Sequence, residues 1–271
     1  MERLISVLGA GFVGGRYHEL TPNSVTNDKY DYEPKSDDIV YFISTIDNYN
    51  VHTNPYLDID TNLTVLIKTL EHCKGKPVTF NFISSWFVYG DVELPAKESS
   101  YCDPKGFYSI TKRAAEQLLI SYCETFDIKY RIIRLANVLG KTDSKVSKKK
   151  NALQYMIEEI KNGRDVDMYD GGEIFRDYIH VDDVVQAINL IIDNGELNTI
   201  YNVGNGKEIY LKDALTYVKN KTDSMSMLKN IESAKFHQKV QTKNMVLDIS
   251  KIQRLGYKPK FDIYQALDTL I

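Results

Sequence analysis

The run Leu4-Ile-Ser-Val-Leu8 leads straight into Gly9-Ala-Gly11-Phe12-Val13-Gly14, and this stretch decides the fold. An apolar strand running into a glycine triplet is the strand–turn–helix context of a dinucleotide site. Gly9 would make the tight turn, Gly11 would let the backbone approach a pyrophosphate, and Gly14 would let helix and strand pack closely. The helix N-terminus would then face the phosphate charge. Any tight strand-to-helix turn also favours glycine, so the motif is weighed together with the rest of the chain.

Beyond the turn, apolar runs and helical stripes alternate. A short helix near Gly15–Leu20 precedes a short strand at Ser24–Asn27. Ile39–Ser44 is a continuous apolar run, as expected of a strand covered on both faces. Asp58–Cys73 reads as a helix with Leu63, Leu66, Ile67 and Leu70 on one face. Val78–Ile83 and Tyr130–Leu135 read as strands around a long helix at Phe107–Phe126, whose stripe is Ala114, Leu118 and Tyr122. Alternating strands and helices imply an α/β fold with a doubly wound, parallel, Rossmann-type sheet. The stretch Asp28–Asp37 is too short for a further helix and strand, so the sheet is expected to be trimmed between strands 2 and 4. After Gly140 the pattern changes to a basic run (Lys145, Lys148, Lys149, Lys150), a helix near Ala152–Asn162 and mixed short elements. The expected division is a dinucleotide-binding domain over 1–140, with 176–205 packing back on it, and a smaller, mainly substrate-binding C-terminal lobe over 141–271.

With 271 residues, 43% of them hydrophobic and 26% charged, the chain is long enough and balanced enough to bury a full core. A net charge of −3 argues against nucleic acid or an acidic membrane as partner. No apolar run approaches the roughly 18 residues that span a bilayer. No signal-peptide pattern is read at the N-terminus. Cys73, Cys102 and Cys123 lack paired metal-ligand spacing, which fits inert thiols in a reducing cytoplasm; no metal site is expected.

The chemistry is expected at Tyr108-Ser-Ile-Thr-Lys112, where a phenol and an ammonium lie four residues apart on one helix face. A neighbouring cation favours phenolate, and such a tyrosine can exchange a proton with a substrate hydroxyl while hydride moves to a nicotinamide. About two such spacings arise by chance in a chain rich in tyrosine and lysine. Tyr101/Lys105 has Pro104 inside its interval, and Tyr217/Lys221 lies in the late lobe. Only Tyr108/Lys112 opens a helix that follows a strand of the cofactor sheet. The third member is Ser85 in Ser84-Ser85-Trp86-Phe87-Val88-Tyr89-Gly90, at the carboxyl edge of its strand, where it would orient the reacting oxygen. Simple capping of the strand end is the other reading of these serines.

Taken in order, these motifs resemble the extended short-chain dehydrogenase/reductase group, in its NAD-dependent epimerase/dehydratase branch, which modifies nucleotide sugars. The resemblance covers nearly the full length. It is carried by Gly9–Gly14, Ser84–Gly90, Tyr108/Lys112, Arg134-x-x-Asn137-x-x-Gly140, Tyr201-Asn-Val-Gly-x-Gly206 and, most specifically, Arg176-Asp-Tyr-Ile-His-Val-Asp-Asp183. It implies a cofactor site of Gly9, Gly11, Phe12, Val13, Gly14, Asn27, Asp28, Ser44, Thr45, Asn62 and Ser84, with Tyr108 and Lys112. It implies a substrate site of Ser85, Trp86, Asn137, Asn151, Tyr169, Arg176 and Gln241. Arg176 resembles the arginine that grips the diphosphate, which suits a bidentate guanidinium; a structural salt bridge is its alternative. Asn137 is alternatively a turn residue, Tyr169 a core aromatic, and His180 reads as structural. The lysine run reads as a solvated loop.

The chain also departs from the family. The 4,6-dehydratases carry Asp-Glu after the catalytic threonine, where this chain has Trp86-Phe87, so water elimination by that route is not expected and the sugar pocket should be narrow. The usual Arg-Pro-Gly-Asp-like stretch is replaced by His237-Gln-Lys-Val-Gln241, with Lys239 standing in for the arginine and Gln241 for the ribose contact. Asp28 favours NAD, while Arg16 and Lys29 keep NADP open. The expectation is a cytoplasmic NDP-sugar epimerase, working by transient oxidation at C4 with Tyr108 as acid/base. Its alternatives are an NADPH-dependent 4-keto-sugar-nucleotide reductase and a non-catalytic dinucleotide sensor. By resemblance it is a homodimer through Asp58–Cys73 and Phe107–Phe126.

Overall fold

The computed structural model describes residues 3–271 except 29, 47, 144, 145, 148, 149, 242 and 243. Lys29, Lys145, Lys148 and Lys149, singled out above, lie outside the described residues. The chain begins with β1 (Ile5–Leu8), α1 (Phe12–Leu20), β2 (Ser24–Thr26) and β3 (Asp38–Tyr41). A 3-10 turn at Asn48–His52 leads to α2 (Tyr56–Ile59), a π-helical turn (Asp60–Thr64) and α3 (Val65–Cys73). Then come β4 (Thr79–Ser85), α4 (Phe107–Thr125), β5 (Lys129–Leu135) and β6 (Asn137–Leu139). The later part holds α5 (Ala152–Lys161), β7 (Val166–Tyr169), β8 (Phe175–His180), α6 (Val181–Asn194), β9 (Thr199–Val203) and β10 (Glu208–Tyr210). It closes with α7 (Leu211–Lys221), β11 (Leu228–Ile231), α8 (Lys235–Val240), α9 (Ser250–Gln253) and α10 (Ile263–Asp268).

Six strands form one parallel sheet in the order β2-β1-β3-β4-β5-β9. Successive strand residues point to opposite faces, so Val7, Val40, Ile83 and Ile133 enter one apolar layer with α6, and Leu8, Ile39, Phe82 and Ile132 enter the other with α3 and α4. Burial on both faces explains the continuous apolar runs. Among the described residues, no helix or strand lies between Thr26 and Asp38, and β2 is the sheet edge there, which is the trimming read from the short segment. Two smaller sheets, β10-β8-β6 and β11-β7, carry a third apolar cluster with α5, α7 and α10. No described helix is long and apolar enough to cross a membrane.

The stripe expected on the long helix is displaced by one position. The side chains of α4 that are buried on the sheet side are Ala115, Leu119 and Cys123, while Leu118 is exposed and Ala114 and Tyr122 are half-buried. The two stripes carry the same residue types at two of three positions, Ala114 or Ala115 and Leu118 or Leu119, and the buried one is continuous with buried Tyr108 and Lys112. Likewise Leu66 and Leu70 are buried, with Leu63 and Ile67 partly covered.

Candidate active site

A cavity of about 910 Å3 runs along the carboxyl edge of the sheet, bordered by the glycine turn, the loop after β3, the end of β4, the start of α4, the β5–β6 segment and α8. Gly9 has φ +96°, which only glycine adopts without strain. A Cβ on Gly14 would lie 2.1 Å from the Gly9 carbonyl oxygen, so this position must be glycine for α1 to leave the strand. A Cβ on Gly11 would meet no protein atom within 4 Å. Gly11 caps α1 and borders the cavity, so its bare backbone faces open space at a helix N-terminus, which fits a pyrophosphate.

Phe12, Val13, Ser44, Thr45, Ser84, Ser85, Trp86, Tyr108, Lys112, Asn137, Asn151, Arg176 and Gln241 all border this cavity. Asn62 stands one layer behind it. The π-helical turn presents its carboxamide to the loop after β3, where it accepts from the Ser44 hydroxyl at 3.0 Å and the Thr45 amide at 2.9 Å. It donates to the hydroxyls of Thr45 and Thr111 at 2.8 and 3.0 Å, so all four of its hydrogen-bonding positions are taken by protein. Thr111 neighbours Lys112, so Asn62 ties the loop to the helix that carries the Tyr–Lys pair. Asn27 and Asp28 follow β2 and do not border the cavity; the Asn27 amide donates to the carbonyls of Asp31 and Glu33. Tyr169 is also off the cavity wall, its ring 4.7 Å from that of His237, which does border it.

Tyr108 enters α4 in its first turn, held by the clamp between the helix start and the 3-10 turn: Gly106 and Ser109 close on each other, and a Cβ at Gly106 would lie 2.0 Å from the Asn48 Oδ1. The Tyr108 ring meets Phe87 edge to face at 5.9 Å. Lys112, one turn on, is 2% exposed, and its Nζ lies 4.3 Å from the Phe82 ring centroid. Burial pulls its ammonium down to about 7, against the opposing pull of Glu116. Ser85 accepts from the Phe87 amide at 3.3 Å, so the capping reading describes its present bond while its hydroxyl still borders the cavity. Asn137 donates to the Asp177 carbonyl at 3.2 Å and Asn151 to the Val138 carbonyl at 3.1 Å, which fixes the floor of the substrate half. Arg176 is buried, its guanidinium 4.7 Å from the Trp86 ring centroid; burial lowers its value to about 10, which still leaves it charged near neutral pH. Arg16 is held by Asp182 at 2.7 Å and by Glu19 at 2.8 Å, and does not border the cavity. His180 caps α6, accepting from the Asp182 amide, as the structural reading expects.

Three features are not legible in the sequence. Glu116, fully buried, receives two bonds from Arg134, one from Arg113 and one from the Ser84 hydroxyl. Lys150 borders the cavity in an ion pair with Asp143 at 2.5 Å rather than as part of a solvated loop. His237, from α8, is hydrogen-bonded at 3.0 Å to Tyr49, from the 3-10 turn, and both border the cavity. Apart from the Arg113–Glu116 contact, one helical turn apart on α4, each joins residues that no helical or strand periodicity relates. No group of metal-binding side chains occurs among the described residues. The thiols of Cys73 and Cys123 are pushed up to about 12 by burial.

Comparison with known proteins fits this geometry. The model of the NAD dependent epimerase/dehydratase family matches residues 18–204. The chain belongs to the NAD-dependent epimerase/dehydratase family. This is a family of NAD(P)-dependent nucleotide-sugar enzymes. Among curated relatives, a putative UDP-glucose 4-epimerase of Methanocaldococcus jannaschii is 26% identical over 239 residues, covering 86% of this chain and 75% of that one. A dTDP-glucose 4,6-dehydratase of Mycobacterium tuberculosis is 29% identical over 189 residues, covering 68% of this chain and 55% of that one. Among solved structures, a UDP-glucose 4-epimerase with UDP-glucose from Thermotoga maritima superposes with a TM-score of 0.88 at 23% identity, covering 98% of this chain and 96% of that one. RMD from Pseudomonas aeruginosa, complexed with NADPH, gives 0.82 at 21% identity, covering 100% and 98%. At these identities the superpositions establish the Rossmann-type fold of this family member.

Proposed function

We propose that this chain is an NDP-sugar epimerase that oxidises its substrate transiently at C4. The observation that carries the reading is that Tyr108, Lys112 and Ser85 border the same cavity as the bare Gly11 backbone and the buried Arg176. Gly9, Gly11 and Gly14 with Phe12 and Val13 would hold the pyrophosphate side of NAD, and Ser44, Thr45 and Ser84 its middle. So held, the nicotinamide would supply the acceptor and donor for the hydride. Tyr108 removes the proton from the 4-hydroxyl and gives it back. Lys112, pulled down to about 7 in the free chain, favours the phenolate in its protonated form and would hold the ribose. Ser85 donates to the sugar oxygen and sets its angle to Tyr108. Arg176, with Asn137 and Asn151, grips the diphosphate, while Trp86 and Phe87 fill the space that acidic dehydratase residues would need.

NAD is favoured over NADP because Arg16, the described arginine nearest the glycine turn in sequence, is held by Asp182 and Glu19 rather than turned to a 2′-phosphate. We assign 1–140 with 176–205 to the cofactor half and the rest of 141–271 to the substrate half; β9 joining the six-stranded sheet supports that assignment. A homodimer through α2–α3 and α4 is supported by exposed Leu57, Ile59, Ile110 and Leu118 on those helices. The test is incubation with a panel of nucleotide sugars, monitoring epimer formation and proton exchange. Turnover without added cofactor and with tightly retained NAD supports an epimerase; turnover only with external NADPH replaces it by a reductase.

A further inference from the structure

The segment that departs most from the family, α8, places an imidazole on the substrate half of the cavity. His237 borders the cavity, and its Nδ1 is 3.0 Å from the hydroxyl of Tyr49, which comes from the 3-10 turn and borders the same cavity. Its ring lies 4.7 Å from that of Tyr169 at the end of β7. The neighbouring Phe236 anchors the same helix, packing on Tyr49 and His52 at 5.4 and 4.3 Å. Nε2 has no hydrogen-bond partner among the described residues. The charged groups acting on this ring are Arg176 from β8, which opposes a second positive charge, and Asp170 from the turn after β7, which favours one. Burial acts with Arg176, so the free chain carries the ring neutral near pH 7.

We infer that His237 is a proton-coupled phosphate ligand: it takes up one proton from solvent when a nucleoside-diphosphate sugar binds, and so becomes a second cation on the cavity that Arg176 also borders. This rests on the nucleotide-sugar reading above. A diphosphate on Arg176 removes the repulsion that keeps the ring neutral and adds attraction for the charged form. The balance is simple: one N–H bond forms on the imidazole, the proton comes from bulk buffer, and the Tyr49 hydroxyl turns to accept from Nδ1–H. Linkage then requires nucleotide-sugar affinity to rise as pH falls, by at most tenfold per pH unit. The missing arginine of the family pattern is thus replaced by a cation that exists only when its anion is present.

The probes are UDP-glucose and dTDP-glucose, whose diphosphate diesters do not titrate near neutral pH. Each is titrated calorimetrically into the intact chain at pH 7 in two buffers of different ionisation enthalpy. The expected result is uptake of a substantial fraction of a proton by wild type and much less by His237→Gln, any remainder coming from Lys112, which borders the same cavity and is pulled down to about 7. The imidazole NMR signal of His237 in wild-type protein, titrated with and without UDP-glucose, gives the same answer without relying on a variant that folds. Binding without proton uptake, or uptake as large in His237→Gln as in wild type, overturns this inference and leaves the epimerase reading standing. Failure of wild type to bind either nucleotide sugar overturns both.

Discussion

The Arg176 guanidinium lies over the Trp86 indole at 4.7 Å, and Trp86 stacks on Phe87 at 3.9 Å, so the charge proposed to grip the diphosphate is shelved on an aromatic pair. A planar fork suits both the stacking and a bidentate grip, and lysine reproduces neither. Arg176→Lys should weaken UDP-glucose binding by about 10- to 100-fold, the worth of one or two charge-assisted bonds, with little change in NAD binding. Equilibrium binding of each ligand checks the split.

Lys112 is expected to be costly to the fold and indispensable to the chemistry. Burial takes its ammonium from 10.5 to about 7. Between those two values the unfolded chain holds a proton that the native chain lacks, so stability rises with pH across that window and its cost is complete below pH 7. At 1.36 kcal/mol per pKa unit, Lys112→Met should stabilise the cofactor-free chain by about 3–5 kcal/mol at pH 7 and flatten the dependence of Tm on pH between 7 and 10. The same variant should lose turnover. Thermal melts across pH, paired with the epimer assay, decide this.

The Glu116–Arg134 pair behaves in the opposite sense. Burial alone would raise the Glu116 carboxyl, but Arg134, Ser84 and Arg113 outweigh it and hold the value below the ordinary range. Its contribution is therefore complete above the unfolded value near 4.3 and fades as pH falls through the lower folded one. Glu116→Gln, which strands a buried guanidinium, should cost about 3–5 kcal/mol at pH 7. Urea unfolding at pH 7 and pH 4 should show that cost shrinking on the acid side.

How much of the site is legible in the sequence depends on whether the information is local. The Gly9–Gly14 turn and the Tyr108/Lys112 spacing are local, and both border the cavity. The buried face of α4 is displaced by one residue from the expected stripe because Ala114-Ala115 and Leu118-Leu119 are identical neighbours that give the periodicity no way to choose, and the buried stripe is the one continuous with Tyr108 and Lys112. Glu116–Arg134 and Tyr49–His237 lie across tertiary space, so no periodicity carries them. Asn62 looks like a ligand of the cofactor and is a brace for the loop beside it, because a π-helical turn redirects its side chain.

The glycine turn separates folding from binding. Gly14→Ala would push a methyl into the Gly9 carbonyl and should destabilise the chain. Gly11→Ala meets no protein atom and should leave Tm unchanged, while its methyl takes the space a pyrophosphate needs and weakens NAD binding at least tenfold. Melting curves with and without NAD distinguish the two.

Ile110 and Leu118 are exposed on one stripe of α4, two turns apart. Replacing both by aspartate should halve the mass measured by light scattering without lowering the yield of folded chain. A wild-type mass equal to one chain contradicts the homodimer.

The most direct test of transient oxidation at C4 uses a panel of nucleotide sugars carrying deuterium at that carbon. Wild type should interconvert a member of the panel with the deuterium retained at C4 in the new epimer, and Tyr108→Phe should be slower by about 100-fold or more. Loss of the label to solvent, or equal rates for Tyr108→Phe and wild type, would contradict the account.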